Sequence, residues 1–341
     1  MKLRGGISGF GAVAAQAHLP GWRTRPDVQI VAVHDPVPER RHQALRLIEG
    51  VRVYEDLDLM LSGERLDFLD VASPPALHAG AARAALEAGA HVIVEKPLCL
   101  DLAEFDALAK IAASNARVLM CVHNWKHSPA YRLAHEIVSR ELGPLGYLAF
   151  ERSRTEPAGA GASGAAWRLD PSLGGGILID HGWHVFYLMR WLMGESPIEV
   201  SAYLGSRTRQ PVDNIAVDDL ADVRVRFPHD GIAYCHLSWR APARRTSAIL
   251  HGEHGILLLE GEHARLTDRS GGARDFLTVD APDDSYHAAW FAGVAGEFET
   301  AVTQGDGVLA TVNLAEARTA LALIVGARQS SLAGTTVAIN A

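Results

Sequence analysis

Lys96 follows the apolar run Ala90-His91-Val92-Ile93-Val94 and its neighbour Glu95, and Pro97 comes directly after it. An ammonium there stands where a buried strand runs out into a crevice, the place where open α/β sheets take their ligands. It is partly desolvated and can donate to a reacting oxygen. The proline removes a backbone donor and fixes the turn, which suits a strand that stops at a site. The plainer alternative is a surface lysine in an ordinary strand-to-helix loop. Asp180 and His184, four apart on a helix predicted over Leu178 to Trp191, project from one face. Asp180 lies near the N-terminus, where the helix dipole favours a carboxylate. Paired with it, His184 stays available for proton transfer near neutral pH. Gly174-Gly175-Gly176 lets the backbone ahead of them approach a ligand. The alternative is a capping aspartate and a core histidine among Trp183, Phe186, Tyr187 and Trp191.

A second constellation opens the chain. Gly9-Phe10-Gly11-Ala12-Val13-Ala14 reads as a turn between a first strand and a first helix. The first glycine permits the tight turn and the second lets the backbone approach a pyrophosphate. The small third position lets helix and strand pack, and the helix N-terminus faces the anion. Asp35 closes the next predicted strand, where a carboxylate accepts from an adenosine ribose and repels a 2′-phosphate. NAD is therefore favoured, with NADP kept open because Arg40 and Arg41 stand nearby; Asp35 could also be a turn or capping residue. Ser73-Pro74-Pro75 enforces an extended exit from another strand. His78 then supports Lys96 or the cofactor, or is an ordinary helix residue. Oxidation of a secondary alcohol needs a hydride acceptor, a base for the hydroxyl proton and a cation for the developing alkoxide. NAD, His184 and Lys96 answer those needs, with Asp180 holding a neighbouring hydroxyl or orienting His184.

The elements that must place these residues are of two kinds. Strands over Val28 to His34, Leu66 to Ala72, Ala90 to Val94 and Arg117 to Val122 alternate with helices over Pro38 to Ile48, Ala76 to Ala88 and Asp101 to Ser114. That is βαβ repetition with a parallel sheet. Asp101 and Glu104 form a predicted capping box, and Gly89 a helix stop. After Val122 come a helix over Pro129 to Glu141, longer alternating strands with short turns, and a closing helix near Gly307 to Ser331; these predict an antiparallel sheet. The 341 residues thus divide into a nucleotide-binding domain, 1–122, and a substrate and oligomerisation domain, 123–341, both α/β. With 48% apolar and 21% charged residues and a formal charge of −8, the composition is that of a globular protein, and scattered basic residues argue against nucleic acid. No run is read as a membrane span or a signal peptide. Three dispersed cysteines suit a reducing cytoplasm, and no pattern predicts a structural metal. The loop Pro157 to Ala166 is glycine-rich and close enough in sequence to the site to serve as a lid.

With these residues in view, the chain resembles the glucose–fructose oxidoreductase, inositol dehydrogenase and rhizopine catabolism family, Gfo/Idh/MocA. The likeness rests on GFGAVA (9–14) with HLP (18–20), Asp35, ALEAGAHVIVEKP (85–97), Asn124, WRLDP (167–171) and GGGILIDHGWH (174–184). It implies a Rossmann domain followed by a domain with a large, open, mainly antiparallel sheet that forms the substrate pocket and a homodimer or homotetramer interface. It implies catalytic Lys96, Asp180 and His184, a cis Lys96–Pro97 bond, retained NAD or NADP, and a sugar, amino-sugar, sugar nucleotide or cyclitol substrate. Cofactor contacts are expected from Gly9 to Val13, Asp35, Arg40, Ser73, Pro74, His78, Glu95, Lys96 and Asn124. Substrate contacts are expected from Lys96, Trp125, Lys126, Arg152, Arg154, Trp167, Arg168, Asp180, His181, Trp183 and His184. Arg152 and Arg154 share a strand face, which favours an acidic substrate if that face is the pocket and is otherwise a solvated surface. The chain departs from the usual pattern at Arg4 to Ser8, Pro75, Trp125-Lys126 and Tyr187. Some proteins of this resemblance use NAD transiently to cleave glycosides, and one branch is a dinucleotide-responsive regulator. Three intact candidate catalytic residues argue against the regulator.

Overall fold

A computed structural model of the chain describes residues 2–157, 166–206, 217–279, 286–305 and 307–339, so the expected lid, apart from its two ends, lies outside the described residues. The chain forms two compact units, Met1–His127 with Ala281–Ala317, and Ser128–Asp280 with Arg318–Ala341. The predicted division, 1–122 and 123–341, differs in its boundary, which falls after His127, and in the return of residues 281–317 to the first unit.

The first unit carries β1 (Leu3–Ser8), α1 (Leu19–Arg23), β2 (Val28–His34), α2 (Pro38–Leu47), β3 (Arg52–Tyr54), α3 (Leu57–Gly63), β4 (Phe68–Val71), α4 (His78–Glu87), β5 (His91–Val94), α5 (Leu102–Ser114) and β6 (Leu119–Cys121). Its six strands are all parallel in the order β3-β2-β1-β4-β5-β6. This is the Rossmann arrangement, whose order reverses at β1/β4 and leaves a crevice above the strand ends there. The polar, glycine-rich β1 has a packing reason. A Cβ on Gly5 would strike the Phe68 ring and one on Gly6 would lie 2.7 Å from Leu66 Cδ1, so small residues make room for large ones on β4 and its approach. Asp101 caps α5 by accepting from the Glu104 N–H at 3.0 Å, and Gly89 takes φ 84° just past α4.

The sequence reading missed the helix that explains the return of the chain. It presents Phe291, Val294, Ala295 and Phe298 to Trp22 and Phe68 in the first unit's core. Aromatic pairs of this kind add about 0.5–1.5 kcal/mol beyond area burial. Arg25 on the surface pairs with Glu299 of the same helix.

The second unit contains α6 (Pro129–Ile137), β7 (Leu145–Ser153), α7 (Trp183–Met193), β8 (Glu199–Gly205), β9 (Leu220–Arg226), β10 (Ile232–Ser238), β11 (Arg245–Gly252), β12 (Gly255–Glu260), β13 (His263–Asp268) and β14 (Ala273–Leu277). The helix that docks Phe291 is α8 (Ala288–Gln304), followed by α9 (Gly307–Ala333) and β15 (Val337–Ala338). Nine strands run β14-β13-β12-β11-β7-β10-β9-β8-β15, antiparallel except for β7 and β10. The predicted large antiparallel sheet is present, and β12 to β15 extend it beyond what alternation had revealed. One face is apolar and buried, with Leu148, Phe150, Val223, Cys235 and Leu257. The other displays Tyr203, Tyr234 and Leu258. α9, at 27 residues, is long and apolar enough by length and composition to cross a membrane, a test that the core helix of a globular protein also passes. Its Ala320, Leu321, Leu323 and Ile324 are buried within the fold, as in the core helix of a globular protein.

Candidate active site

The glycine turn divides its work between packing and openness. Gly9 has φ 87°, and a Cβ there would lie 2.6 Å from the Ser73 nitrogen, so the first turn closes against the end of β4. A Cβ on Gly11 would meet nothing within 4 Å, which leaves its backbone open to a ligand. Phe10 is fully buried and serves through its N–H, which donates to Asp35 at 2.8 Å. Ala12 and Val13 begin the helix, and Ala14 is fully buried beneath it. The other Asp35 oxygen accepts from Val37 at 2.9 Å, and Arg40 lies 3.5 Å away. Asp35 is thus the turn residue of the plainer alternative, and its carboxylate retains further lone pairs for a ribose. Arg41 donates to the carbonyls of Asp35 and Pro36.

Two buried polar atoms in this unit, Ser73 Oγ and Asn124 Oδ1, have no hydrogen-bond partner among the described residues. Such atoms carry a desolvation penalty that a bound polar ligand relieves. With the open Gly11, they fit a dinucleotide. His78 sits between the carbonyls of Ser73 and Pro97, 2.6 Å from each, and ties the exit of β4 to the turn after Lys96. Burial lowers its pKa, against the pull of those carbonyls. The Lys96–Pro97 bond is cis, as the resemblance implied.

Beneath Lys96 lies a network that sequence reasoning missed. His18 is fully buried, stacked on Phe291 at 3.8 Å, with Nδ1 2.9 Å from Asp70 and Nε2 3.1 Å from Glu95. Trp22 donates to Asp70 at 2.7 Å, and the second Glu95 oxygen accepts the Lys96 N–H at 2.9 Å. Burial alone would depress the imidazole, but Asp70 and Glu95 lift it to about 9, so it is a cation between two carboxylates. Glu95 moves below its ordinary range: burial opposes this, and His18 outweighs it. Glu95 therefore acts on the loop, holding the peptide that carries Lys96. His18 belongs to the quoted HLP segment, and that was the only signal for it.

After β6, the turn Asn124–His127 is held from α9. Asn313 exchanges hydrogen bonds with the backbone of Cys121, and Glu316 accepts from Lys126 at 2.8 and 3.0 Å. Lys126, expected as a substrate contact, is anchored to Glu316; Trp125 beside it is 6% exposed.

In the second unit the predicted helix begins with a π-helical turn, Leu178–Gly182, that holds Asp180 and His181 and passes into α7 with His184 in its first turn. Two of the three glycines ahead of it, Gly175 and Gly176, pack closely within the fold. A Cβ on Gly175 would lie 2.7–2.8 Å from the carbonyl oxygens of Trp167, Arg168 and Asp170, and one on Gly176 would strike Asp218. Asp218, unseen in the sequence reading, accepts the Leu178 N–H at 2.7 Å and so caps the turn. Asp180 accepts from Arg168 Nε at 2.8 Å, and Arg168 lies over the Trp167 ring at 4.6 Å. His184 Nδ1 stands 3.1 Å from the Tyr187 hydroxyl. Trp183 is fully buried and belongs to the core. Arg152 Nε donates to His181 Nδ1 at 3.2 Å. Arg152 and Arg154 point to the same side of the sheet as buried Leu148 and Phe150, so theirs is the helix-packed face and not a solvated one. Among the described residues no group of three or more His, Cys, Asp or Glu is placed to hold a metal.

Residues 3–123 match the oxidoreductase family with an NAD-binding Rossmann fold, and residues 131–258 match the Gfo/Idh/MocA C-terminal domain. An uncharacterised protein of Saccharomyces cerevisiae is 31% identical over 66% of this chain, and the match spans 64% of that protein's length. D-apiose dehydrogenase of Paraburkholderia graminis is 31% identical over 82% of this chain and 74% of its own. The structure of a levoglucosan dehydrogenase in complex with NADH and levoglucosan superposes with a TM-score of 0.86 at 22% identity and full coverage of both chains, a likeness of fold. The chain belongs to the Gfo/Idh/MocA oxidoreductase family.

Proposed function

We propose that this protein transfers a hydride between a secondary hydroxyl of a sugar, sugar derivative or cyclitol and a nicotinamide cofactor. The observation that carries the reading is the strand-end cradle of the first unit. There an open Gly11, the orphaned Ser73 Oγ and Asn124 Oδ1, and a Lys96 fixed through Glu95 and His18 follow the C-terminal ends of parallel strands β1, β4, β5 and β6. The sugar dehydrogenases among the similar proteins support the substrate class.

The glycine turn, Asp35, Ser73 and Asn124 would hold the dinucleotide, which when bound supplies the hydride acceptor. Asp35 favours NAD over NADP because its carboxylate would repel a 2′-phosphate. Lys96 donates to the substrate oxygen as alkoxide character develops, and His184 takes the hydroxyl proton. Asp180, held by Arg168, accepts from a neighbouring hydroxyl. Trp167 and Arg168 provide a flat wall and a cation for the ring. The exposed sheet face with Tyr203, Tyr234 and Leu258 is assigned to contact between copies in a homodimer or homotetramer. The buried thiols, Cys99 among them pushed up to about 12 by burial, suit a reducing compartment.

Lys96→Met tests the reading. It should lower kcat/KM on the true substrate by about 10²–10⁴-fold while dinucleotide binding persists. Full turnover by that variant would overturn the assignment. Native mass spectrometry of the purified protein reads retained dinucleotide, bound sugar and oligomer mass together.

A further inference from the structure

Both ring nitrogens of His18 face carboxylates, and this pairing sets the charge of the ring. Nδ1 lies 2.9 Å from each Asp70 oxygen, and Nε2 lies 3.1 Å from Glu95 Oε1. An ionised carboxylate only accepts, so each nitrogen must carry a proton, and an imidazole with two N–H groups is a cation. A neutral ring would turn a lone pair toward one of the two carboxylates. The ring has little room to escape that conflict. It is fully buried and stacked on Phe291 at 3.8 Å and 14°, and Trp22 Nε1 donates to Asp70 behind it at 2.7 Å.

Glu95 carries the state of the ring to the loop after β5. Its Oε1 meets His18, and its Oε2 accepts the Lys96 N–H at 2.9 Å. The carboxylate is planar, so turning one oxygen away from His18 also moves the other from Lys96. Asp70 on β4 and Glu95 after β5 are the charged groups set against His18, while α1 and α8 offer it Trp22 and the Phe291 ring. Lys96 and His78 act on Glu95 beside His18, and His18 has the largest pull of the three. An ammonium that must reach a developing alkoxide depends on its placement, where an error of about 1 Å lowers rates about 10²-fold.

We propose that His18 is a positioning residue for Lys96, its imidazolium clamping Glu95 so that Glu95 holds the Lys96 peptide at the end of β5, and that loss of the His18 proton opens the clamp. The part Lys96 plays in the chemistry rests on the dehydrogenase reading; the clamp does not.

The chain has four lysines, Lys2, Lys96, Lys110 and Lys126, so the full-length, NAD-saturated protein isotope-labelled at lysine nitrogen gives four backbone amide signals. Loss of one signal in Lys96→Met identifies Lys96. Its protection against hydrogen exchange should hold steady below pH 6.5, fall as pH rises toward 9 and level off there, because an open loop leaves His18 near its ordinary acidity. The fall should be about tenfold or more, and Lys110, inside α5, should not share it. In His18→Gln the Lys96 amide should be poorly protected at every pH in this range. If that variant does not bind NAD, Asp70→Asn keeps the ring and an oxygen for Trp22. It should shrink the fall, since the imidazole then releases its proton at lower pH. Turnover of NAD with D-glucose, D-xylose or myo-inositol reads the consequence. His18→Gln should lower kcat about tenfold or more with KM within about twofold, and adding Glu95→Gln should lower it little further, because both act through one contact. A Lys96 amide indifferent to pH or to both variants overturns the proposal, as does an equal fall at Lys110 or a loosened amide with undiminished kcat. The two readings fail separately. A protein that forms no NADH with these sugars yet shows the pH-dependent amide keeps the clamp and counts against the dehydrogenase reading. Turnover with an indifferent amide sinks the clamp alone.

Discussion

The Tyr187 hydroxyl stands 3.1 Å from Nδ1 of His184, one helical turn away on α7, and both side chains are buried. An imidazole whose Nδ1–H donates to that hydroxyl carries its lone pair on Nε2, the form a base requires. Tyr187→Phe should lower kcat about tenfold, the weight of one such hydrogen bond. Tyr187→Asp should move the acidic limb of the kcat/KM profile to higher pH, because a carboxylate favours the imidazolium. The two pH profiles measured side by side decide the matter. A limb unmoved by aspartate would remove Tyr187 from the role.

The two glycines of the nucleotide turn should respond differently to alanine. Gly9→Ala places a methyl 2.6 Å from backbone at a φ of 87°, so the thermal midpoint should fall by several degrees. Gly11→Ala meets open space, so stability should hold while NAD affinity drops. Equal loss of stability in both would contradict the assignment of Gly11 to ligand approach.

His18 makes the stability of the first unit dependent on pH in a defined direction. Its folded pKa, about 9, exceeds the ordinary 6.5. Its contribution is therefore complete below pH 6.5 and is lost as pH rises through 9. Urea midpoints taken across that window should decline. Replacing His18 with leucine leaves Asp70 and Glu95 buried without their cation, at a cost of about 3–5 kcal/mol. In that variant the slope across this window should flatten.

Asp35 serves the fold and the cofactor together. Asp35→Ser removes the acceptor of the Phe10 and Val37 N–H groups and frees Arg40 from its ion pair. Thermal stability should fall by roughly 1–3 kcal/mol. The ratio of NADP to NAD affinity should rise about tenfold or more, since a repelling carboxylate is gone and an arginine is released. Isothermal titration with both dinucleotides measures it. An unchanged ratio would reduce Asp35 to its turn-forming role.

Local chemistry carried much of the first unit. β2 has the predicted ends, Val28 and His34, because β-branched residues between a loop and a proline leave little latitude. Asp101 capped the predicted helix, and the EKP and GFGAVA segments stand at strand ends of a parallel sheet. Such features depend on neighbours in sequence, so composition reveals them. β12, β13 and β14 were missed because exposed leucines and small residues blur their alternation, and α8 was missed although Phe291, Val294 and Phe298 follow helical spacing.

By itself, the sequence determined much of the strand and helix succession of the first unit, the glycine turn and the candidate chemistry of Lys96, Asp180 and His184, since these follow from backbone preference and residue type. Tertiary structure alone decided what those residues lean on. His18 bridges Asp70 and Glu95 across separations of 52 and 77 residues, Asp218 reaches 40 residues back to cap Leu178, and Arg152 meets His181 29 residues on. The physical reason is that a buried charge or an uncapped helix end is satisfied by whichever polar group the packed elements bring near, and chain order does not specify that neighbour.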